Sequence, residues 1–387
     1  MKKIISVLLW VSFFHSCAEA SRFNLDSSNP LALLGQMVWS LNAIPPNKQF
    51  VAVGERCSSW TSDDGIVWSY SNTRFPGCVD GSIQSVTYGN GTWVAVGAME
   101  SGAALGTEKT CGIWSSQDAE TWVRSSCAPI TAETTVHKLL AVSYGGSRFW
   151  ASGPHNGAST NHEFFGQTSV DGVAWQYLSI EDGSSYDDTD YYDSISYNPN
   201  TSEVYFGGQH SVSSEIATVS AAALTSSYVE ISMTSNLNRV LVVKSSGEIL
   251  IYATLGIVKM ASSLDSISNA PELNTAIEDH INIVVEGKDK LVAFGDECRI
   301  DYYSFAIGVW HPAGASAPPD MSNCSRLDWM SAAYNVTLDR FVAGARVIGT
   351  VPTAFSYSTT GLPSDWTVVE QTDIGSPGPA ILGIATQ

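Results

Sequence analysis

The sequence predicts an all-β protein, a single seven-bladed β-propeller of four-stranded antiparallel blades. Two observations carry that expectation: a repeated hairpin phrase and a Trp-bearing turn that follows it. The hairpin at residues 85–97 ends in Val94-Ala95-Val96-Gly97 and returns at 141–153, ending in Trp150-Ala151-Ser152-Gly153. Its second half recurs as Val51-Ala52-Val53-Gly54, Leu291-Val292-Ala293-Phe294-Gly295 and Phe341-Val342-Ala343-Gly344. Repetition at roughly 40–50 residues marks stacked or ring-closed sheet units.

Each unit reads as an apolar strand (a), a turn at Gly or Asn, the Val-Ala-Val-Gly strand (b), a third strand (c), a Ser/Thr-rich turn, and a fourth strand (d). The ends of the b strands fall at Gly54, Gly97, Gly153, Gly207, Tyr252, Gly295 and Gly344. Each step suits one four-stranded blade, so seven are expected. Blades 4 and 5 carry the weakest pattern, because residues 217–232 and 257–268 lack the Trp turn. Residues 381–386 resemble another a strand and are expected to complete the first blade, although 37–42 suit the same slot. Such closure leaves no long open edge.

The c–d turn reads Ser62-Asp63-Asp64-Gly65-Ile66-Val67-Trp68, then Ser116 to Trp122 with Asp118, then Ser169 to Trp175 with Asp171 and Gly172. Ser304 to Trp310 keeps the spacing without the Asp, and Ser358 to Trp366 keeps Gly361 but is two residues longer. Ser and Asp side chains bond backbone N–H groups across such a bend, Gly takes the positive φ, and Trp fills the gap between sheets. These turns resemble Asp-box (BNR) repeats, found in sialidase-like and other β-propellers. The resemblance implies the fold, with turns that shape the blade and lie away from the ligand. Sialidase activity in that superfamily needs three arginines clamping a carboxylate, an Arg-Ile-Pro near the start, and a Tyr/Glu pair. Here Arg299-Ile300 is followed by Asp301 and no Arg-Ile-Pro occurs, so none of the sialidase catalytic residues is carried over.

Residues 1–20 read as a signal peptide: Lys2 and Lys3, an apolar stretch over 4–14, and Ala18-Glu19-Ala20 as the cleavage site. Residues 21–387 are then the secreted, extracellular propeller, with no membrane span, since no later apolar run is long enough. The formal charge is −19, and losing the leader makes it one unit more negative. That surface excludes nucleic acid and anionic lipid as partners, because phosphate contacts need lysine and arginine. It leaves cations, glycans and extracellular proteins.

Six cysteines follow the leader, and an even number in an exported chain implies disulfides rather than a metal site. Cys57, Cys111 and Cys298 follow b strands, while Cys78, Cys127 and Cys324 follow the next d strands. In a propeller the b–c and d–a connections emerge on one face, which predicts Cys57–Cys78, Cys111–Cys127 and Cys298–Cys324.

The same face carries the longest loops, read as residues 98–110, 154–164 and 180–193. They bring Glu100, Glu108, His155, His162, Glu163, Asp182, Asp187, Asp188 and Asp190 toward one sector. Tyr186, Tyr191 and Tyr192 interleave with Asp187, Asp188 and Asp190, a pattern that suits a sugar: rings stack on its apolar faces and carboxylates take its hydroxyls. Those carboxylates suit Ca²⁺ in chemistry, but lack the spacing of a calcium loop. His162, Glu163 and His155 are the candidates for acid–base work. No nucleophile elbow, phosphate loop or paired-histidine metal motif appears. Sequons stand at Asn90, Asn200, Asn323 and Asn335, three of them on expected a–b turns where a glycan would be solvated.

Three functions are compatible with these residues, one of them a purely structural surface or matrix protein whose acidic loops collect calcium. The leading one is a non-catalytic secreted propeller that binds a glycan or another extracellular partner through its loop-rich face, without a cofactor. The second is a carbohydrate-active enzyme, a glycoside hydrolase or polysaccharide lyase, with an acidic site at the channel mouth.

Overall fold

The computed structural model describes residues 48–100, 111–128, 135–136, 138–153, 155–156, 163–181, 191–209, 214–231, 238–253, 257–274, 281–311, 327–347, 352–374 and 377–387. The signal peptide and residues 37–42 lie outside this set. Seven antiparallel four-stranded sheets follow one another along the chain, named here by blade number and strand letter. Blade 1 comprises 1b Phe50–Gly54, 1c Ser59–Ser62 and 1d Ser69–Ser71, and its innermost strand 1a is Ile381–Thr386 from the other end of the chain. Blade 2 runs Ile83–Gly89, Thr92–Ala98, Cys111–Ser116 and Val123–Ser125. Blade 3 is Ala141–Gly145, Arg148–Ser152, Glu163–Ser169 and Gln176–Glu181; blade 4 is Tyr191–Asn198, Glu203–Gln209, Ser214–Ser220 and Ser226–Ile231. Blade 5 is Asn238–Val242, Ile249–Ala253, Ile257–Ala261 and Glu272–Asn274; blade 6 is Ile281–Glu286, Lys290–Gly295, Ile300–Ser304 and Val309–His311. Blade 7 is Leu327–Asn335, Arg340–Val347, Thr353–Ser358 and Thr367–Gln371.

The Val-Ala-Val-Gly phrase is apolar at every position because a b strand is covered on both faces. Val51 and Val53 pack toward blade 2, while Phe50 and Ala52 pack toward blade 7. Seven buried apolar clusters among the described residues occupy the seams between successive blades, and the one joining blades 7 and 1 closes the ring. The phrase ends in glycine for a steric reason. A Cβ on Gly54, Gly97 or Gly153 would meet the carbonyl oxygen of Ala380, Ser82 or Lys138 at 1.9, 2.2 and 2.3 Å, where the chain enters strand a.

Where present, the Trp turns fasten a blade to the one before it. Ser62 Oγ accepts from Gly65 N at 2.8 Å, and Asp64 Oδ1 accepts from Ile66 N and Val67 N at 2.8 and 3.0 Å. Ser169 and Asp171 repeat this arrangement, and Asp118 repeats the two aspartate bonds. In the longer blade 7 turn Ser358 still accepts from Gly361 N at 2.8 Å, but Asp365 supplies the carboxylate from the far side. Gly65 has φ +75, and a side chain there would strike Val342 of strand 7b and Phe50. Trp68 stacks on Phe355 of blade 7, centroids 3.9 Å apart. In blade 4 Ala221 and Leu224 replace the Trp against Trp150, and in blade 5 a short helix α1, Leu264–Ile267, packs Leu264 and Ile267 against Tyr205 and Ile216.

These turn carboxylates are expected to make stability depend on acid. Burial alone would push Asp64, Asp118 and Asp365 up, but their hydrogen bonds from backbone N–H and hydroxyl groups outweigh it and hold all three below the usual carboxylate value. A depressed folded pKa gives stability that is present above the unfolded value, near 3.9, and is lost as pH falls through the folded one. The thermal midpoint should therefore drop as pH is lowered below about 4, and Asp64→Asn should flatten that drop in a melting series from neutral to acid pH.

Candidate partner-binding site at the mouth of the ring

The b–c and d–a connections emerge at one end, and two disulfides tie them together. Cys57–Cys78 and Cys111–Cys127 have Cα atoms 5.9 and 6.5 Å apart, as the repeat frame requires. Each closes a loop of 16–21 residues, a length for which chain entropy gives about 3 kcal/mol. Cys298 is buried in the blade 6–7 seam at the equivalent point, and Cys324 lies outside the described residues. The b–c turns of blades 1 and 6 share an unusual backbone. Arg56 and Cys57 have φ of 56 and 56, and Glu297 and Cys298 have 53 and 62, two successive non-glycine residues in the left-handed region. Backbone strain of this sort persists only where the surroundings over-determine it. Here a buried cysteine in each turn anchors it.

At this same end the innermost strands bulge. Pairing with strand b skips one residue at Leu382 in blade 1, Gln84 in blade 2, Asp193 in blade 4, Asn282 in blade 6 and Met330 in blade 7. Bulges re-aim side chains at rims, and all five residues are half-buried. Blades 7 and 1 contribute the apolar Met330 and Leu382. Blades 4 to 6 form a polar arc. Arg239 on strand 5a donates from Nε and Nη2 to Asp193 Oδ2, both at 3.1 Å, and from Nη1 to the carbonyl of Asn282. Asn282 Nδ2 in turn donates to Asp296 Oδ1 at 2.7 Å. One guanidinium thus joins three blades.

The electrostatics of this collar follow from burial and crowding. Burial pushes the Tyr252 hydroxyl up to about 12, with Arg239 opposing and Asp193 adding to the shift, so it stays protonated beside the ion pair. Burial pulls Lys138 below the usual lysine value against the pull of Glu55. Asp328 is raised by burial and by the neighbouring Asp296, partly offset by a bond from Glu297 N at 3.4 Å. A raised carboxyl costs stability once it ionises. Asp328→Asn, which keeps an oxygen for that N–H, should raise the melting temperature at neutral pH and lose this advantage in acid.

The sequence candidates fall as follows. His155 forms a two-residue strand with Asn156, paired to Thr135–Val136, above blade 3 at the mouth end. Glu163 opens strand 3c opposite Glu181, and Tyr191 opens strand 4a opposite Gln209, so the expected loops are shorter than 154–164 and 180–193. The reason is that strand pairing continues beyond the body of these blades. Tyr192 is a correction: it is 1% exposed and packs beside Phe206, so its ring is core and offers no stacking surface. His162, Tyr186, Asp187, Asp188 and Asp190 lie outside the described residues. Among the described residues, no group of three or more His, Cys, Asp or Glu is placed to hold a metal ion. The polar arc itself was missed. Its signal was an apolar residue, a polar one, then Ser or Ile at the start of an a strand, as in Tyr192-Asp193-Ser194 and Ile281-Asn282-Ile283.

Fold and mouth together define a disulfide-pinned seven-bladed propeller with a mixed polar and apolar collar. No protein-family model matches the chain, and no curated protein matches it by sequence. Among solved structures it is similar to YCF48 from Cyanidioschyzon merolae, with TM-score 0.53 and 11% identity over 79% of this chain and 90% of that one. It is also similar to a structure described as YCF48 bound to D1 peptide, with TM-score 0.52 and 11% identity over 78% and 91%. At such identity the likeness is one of fold.

Proposed function

We propose that this protein is an exported, non-catalytic propeller with Asp-box turns that holds an extended segment of a partner polypeptide at the mouth of its ring. The observation that carries the reading is the convergence there of disulfide-pinned turns and bulge-borne side chains from most of the blades. Such a surface is ordered before the partner arrives, so little affinity is lost to ordering it. Met330 and Leu382 supply apolar area, and the arc from Asp193 to Asp296 supplies donors and acceptors for a peptide backbone.

Two disulfides suit an oxidising compartment, and no described helix is long and apolar enough to cross a membrane. The similar structure bound to a peptide supports a polypeptide over a glycan. So does the burial of Tyr192, which removes one of three rings from a sugar platform. Calcium enters this proposal only as a companion of the acidic stretch at 186–193, and a chelator added to the binding assay tests it.

The reading is tested by probing the full chain against a random-peptide display library and a glycan array in parallel. Peptide binding weakened at least tenfold by Met330→Asp is the expected result. Glycan signal without peptide signal would transfer the function to sugar recognition. Polysaccharide turnover abolished by Glu163→Gln would establish the hydrolase instead.

A further inference from the structure

Of the four sequons, that at Asn323 lies outside the described residues; the other three are alike in sequence and unlike in the fold, and that difference assigns a modification site. Asn335 ends strand 7a and is 0% exposed. Its Nδ2, the atom that would carry a glycan, donates to Thr386 Oγ1 at 2.5 Å and Gln49 Oε1 at 3.3 Å, and its Oδ1 accepts from Leu338 N at 2.8 Å. The side chain therefore belongs to the seam that closes the ring. Asn198 ends strand 4a in the same way, 2% exposed and donating to the Gly247 carbonyl of the next blade at 3.2 Å. Asparagine at this point is a blade fastener, and the sequon at Asn335 is incidental to it. The expectation of a solvated glycan there is thus corrected.

Asn90 is exposed at the tip of the blade 2 a–b turn, where Gly89 pairs with Thr92 and the loop is two residues. Asn90 and Gly91 have φ of 47 and 74, the conformation for which Asn-Gly is favoured in tight hairpins. Turn chemistry accounts for those two residues but not for Thr92, which completes the sequon. Around the tip there is room: a Cβ on Gly91 would meet nothing within 4 Å. Asn200 is exposed too, but its amide nitrogen lies against Gly247, 2.1 Å from where a Cβ there would stand. The a–b turns share their end of the ring with the c–d turns, since Arg340 at the start of strand 7b donates to the Asp64 carbonyl. That end is opposite the cysteine-bearing loops.

We infer that Asn90 is an N-glycan acceptor on the face away from the mouth, that Asn200 is a lesser one, and that Asn335 is bare in every folded copy. In the transfer, an oligosaccharide arrives as a polyprenyl diphosphate ester. Its anomeric carbon–oxygen bond breaks, a bond from that carbon to Asn90 Nδ2 forms, and the displaced amide proton leaves with the diphosphate. A glycan so placed shields one end and leaves the mouth clear for the partner proposed above. The inference rests on the export part of that proposal.

The test is secretion of the full chain from a eukaryotic host, once with its own leader and once with a general secretion leader. Enzymatic deglycosylation in heavy-oxygen water then marks each occupied asparagine by mass. Secreted protein should carry the mark at Asn90, in a smaller fraction at Asn200, and not at Asn335. Asn90→Gln should remove the main glycan, and Thr337→Ala, which spares the Asn335 amide bonds, should change neither glycan mass nor secretion. Secreted protein unmarked at Asn90, marked at Asn335, or more fully marked at Asn200 than at Asn90 would overturn the assignment. Failure of secretion with the native leader alone would overturn export and leave the site assignment to the second arm.

Discussion

Deletion of residues 381–387 is expected to abolish cooperative folding. Among the described residues, strand 1a is the one strand that completes a blade begun more than 300 residues away, and it pairs with 1b from Phe50 to Gly54. It buries Ile381 and Ile384 in the blade 7–1 seam and supplies Thr386 Oγ1, which accepts from Asn335. Truncating two buried isoleucines costs about 4–10 kcal/mol at typical values for each, against a typical total stability of about 5–15 kcal/mol. The deleted protein should elute as an expanded species and show no sharp urea transition. Ile381→Ala keeps the backbone pairing and should cost about 2–5 kcal/mol in the same measurement. An undiminished transition in the deletion variant would mean that another strand closes the ring.

The second large effect is expected at Arg239. The Asp193 side chain it pairs with is 12% exposed, and that of Arg239 is 22% exposed. Removing one partner of such a pair leaves a poorly solvated charge, which typically costs about 3–5 kcal/mol. Arg239→Ala should show that loss in urea unfolding. Arg239→Lys should not restore it, because one ammonium cannot reach Asp193 through two nitrogens and also bond the Asn282 carbonyl. Combining Asp193→Asn with Arg239→Ala should cost less than the sum of the single changes, since both act on one contact. A loss under about 0.5 kcal/mol, the range of ordinary surface changes, would show the arc to be a solvated pair with no part in holding blades 4 to 6.

The fold was legible because its requirements repeat. Gly54, Gly97 and Gly153 recur where a neighbouring backbone leaves no room for a side chain, and Trp68, Trp122 and Trp175 recur where a seam must be filled. Cys57, Cys78, Cys111 and Cys127 could be paired from their places in that frame. Blades 4 and 5 were faint because their seams are filled by other means, Leu224 in one and helix α1 in the other. The collar was not legible for a different reason. Asp193, Arg239 and Asn282 lie far apart in sequence, and only the ring and the bulge register bring them together. Tyr192 and Asn335 misled because a loop tyrosine and a sequon look the same whether they face solvent or a seam.

The joining of Ile381–Thr386 to Phe50–Gly54 also fixes an order of events. As the chain emerges from the ribosome, the inner partner of strand 1b follows it by more than 300 residues. Throughout that interval the inner edge of 1b lacks its native partner, and unpaired edges of that sort favour aggregation. The circle can shut only once residues 381–386 have been made.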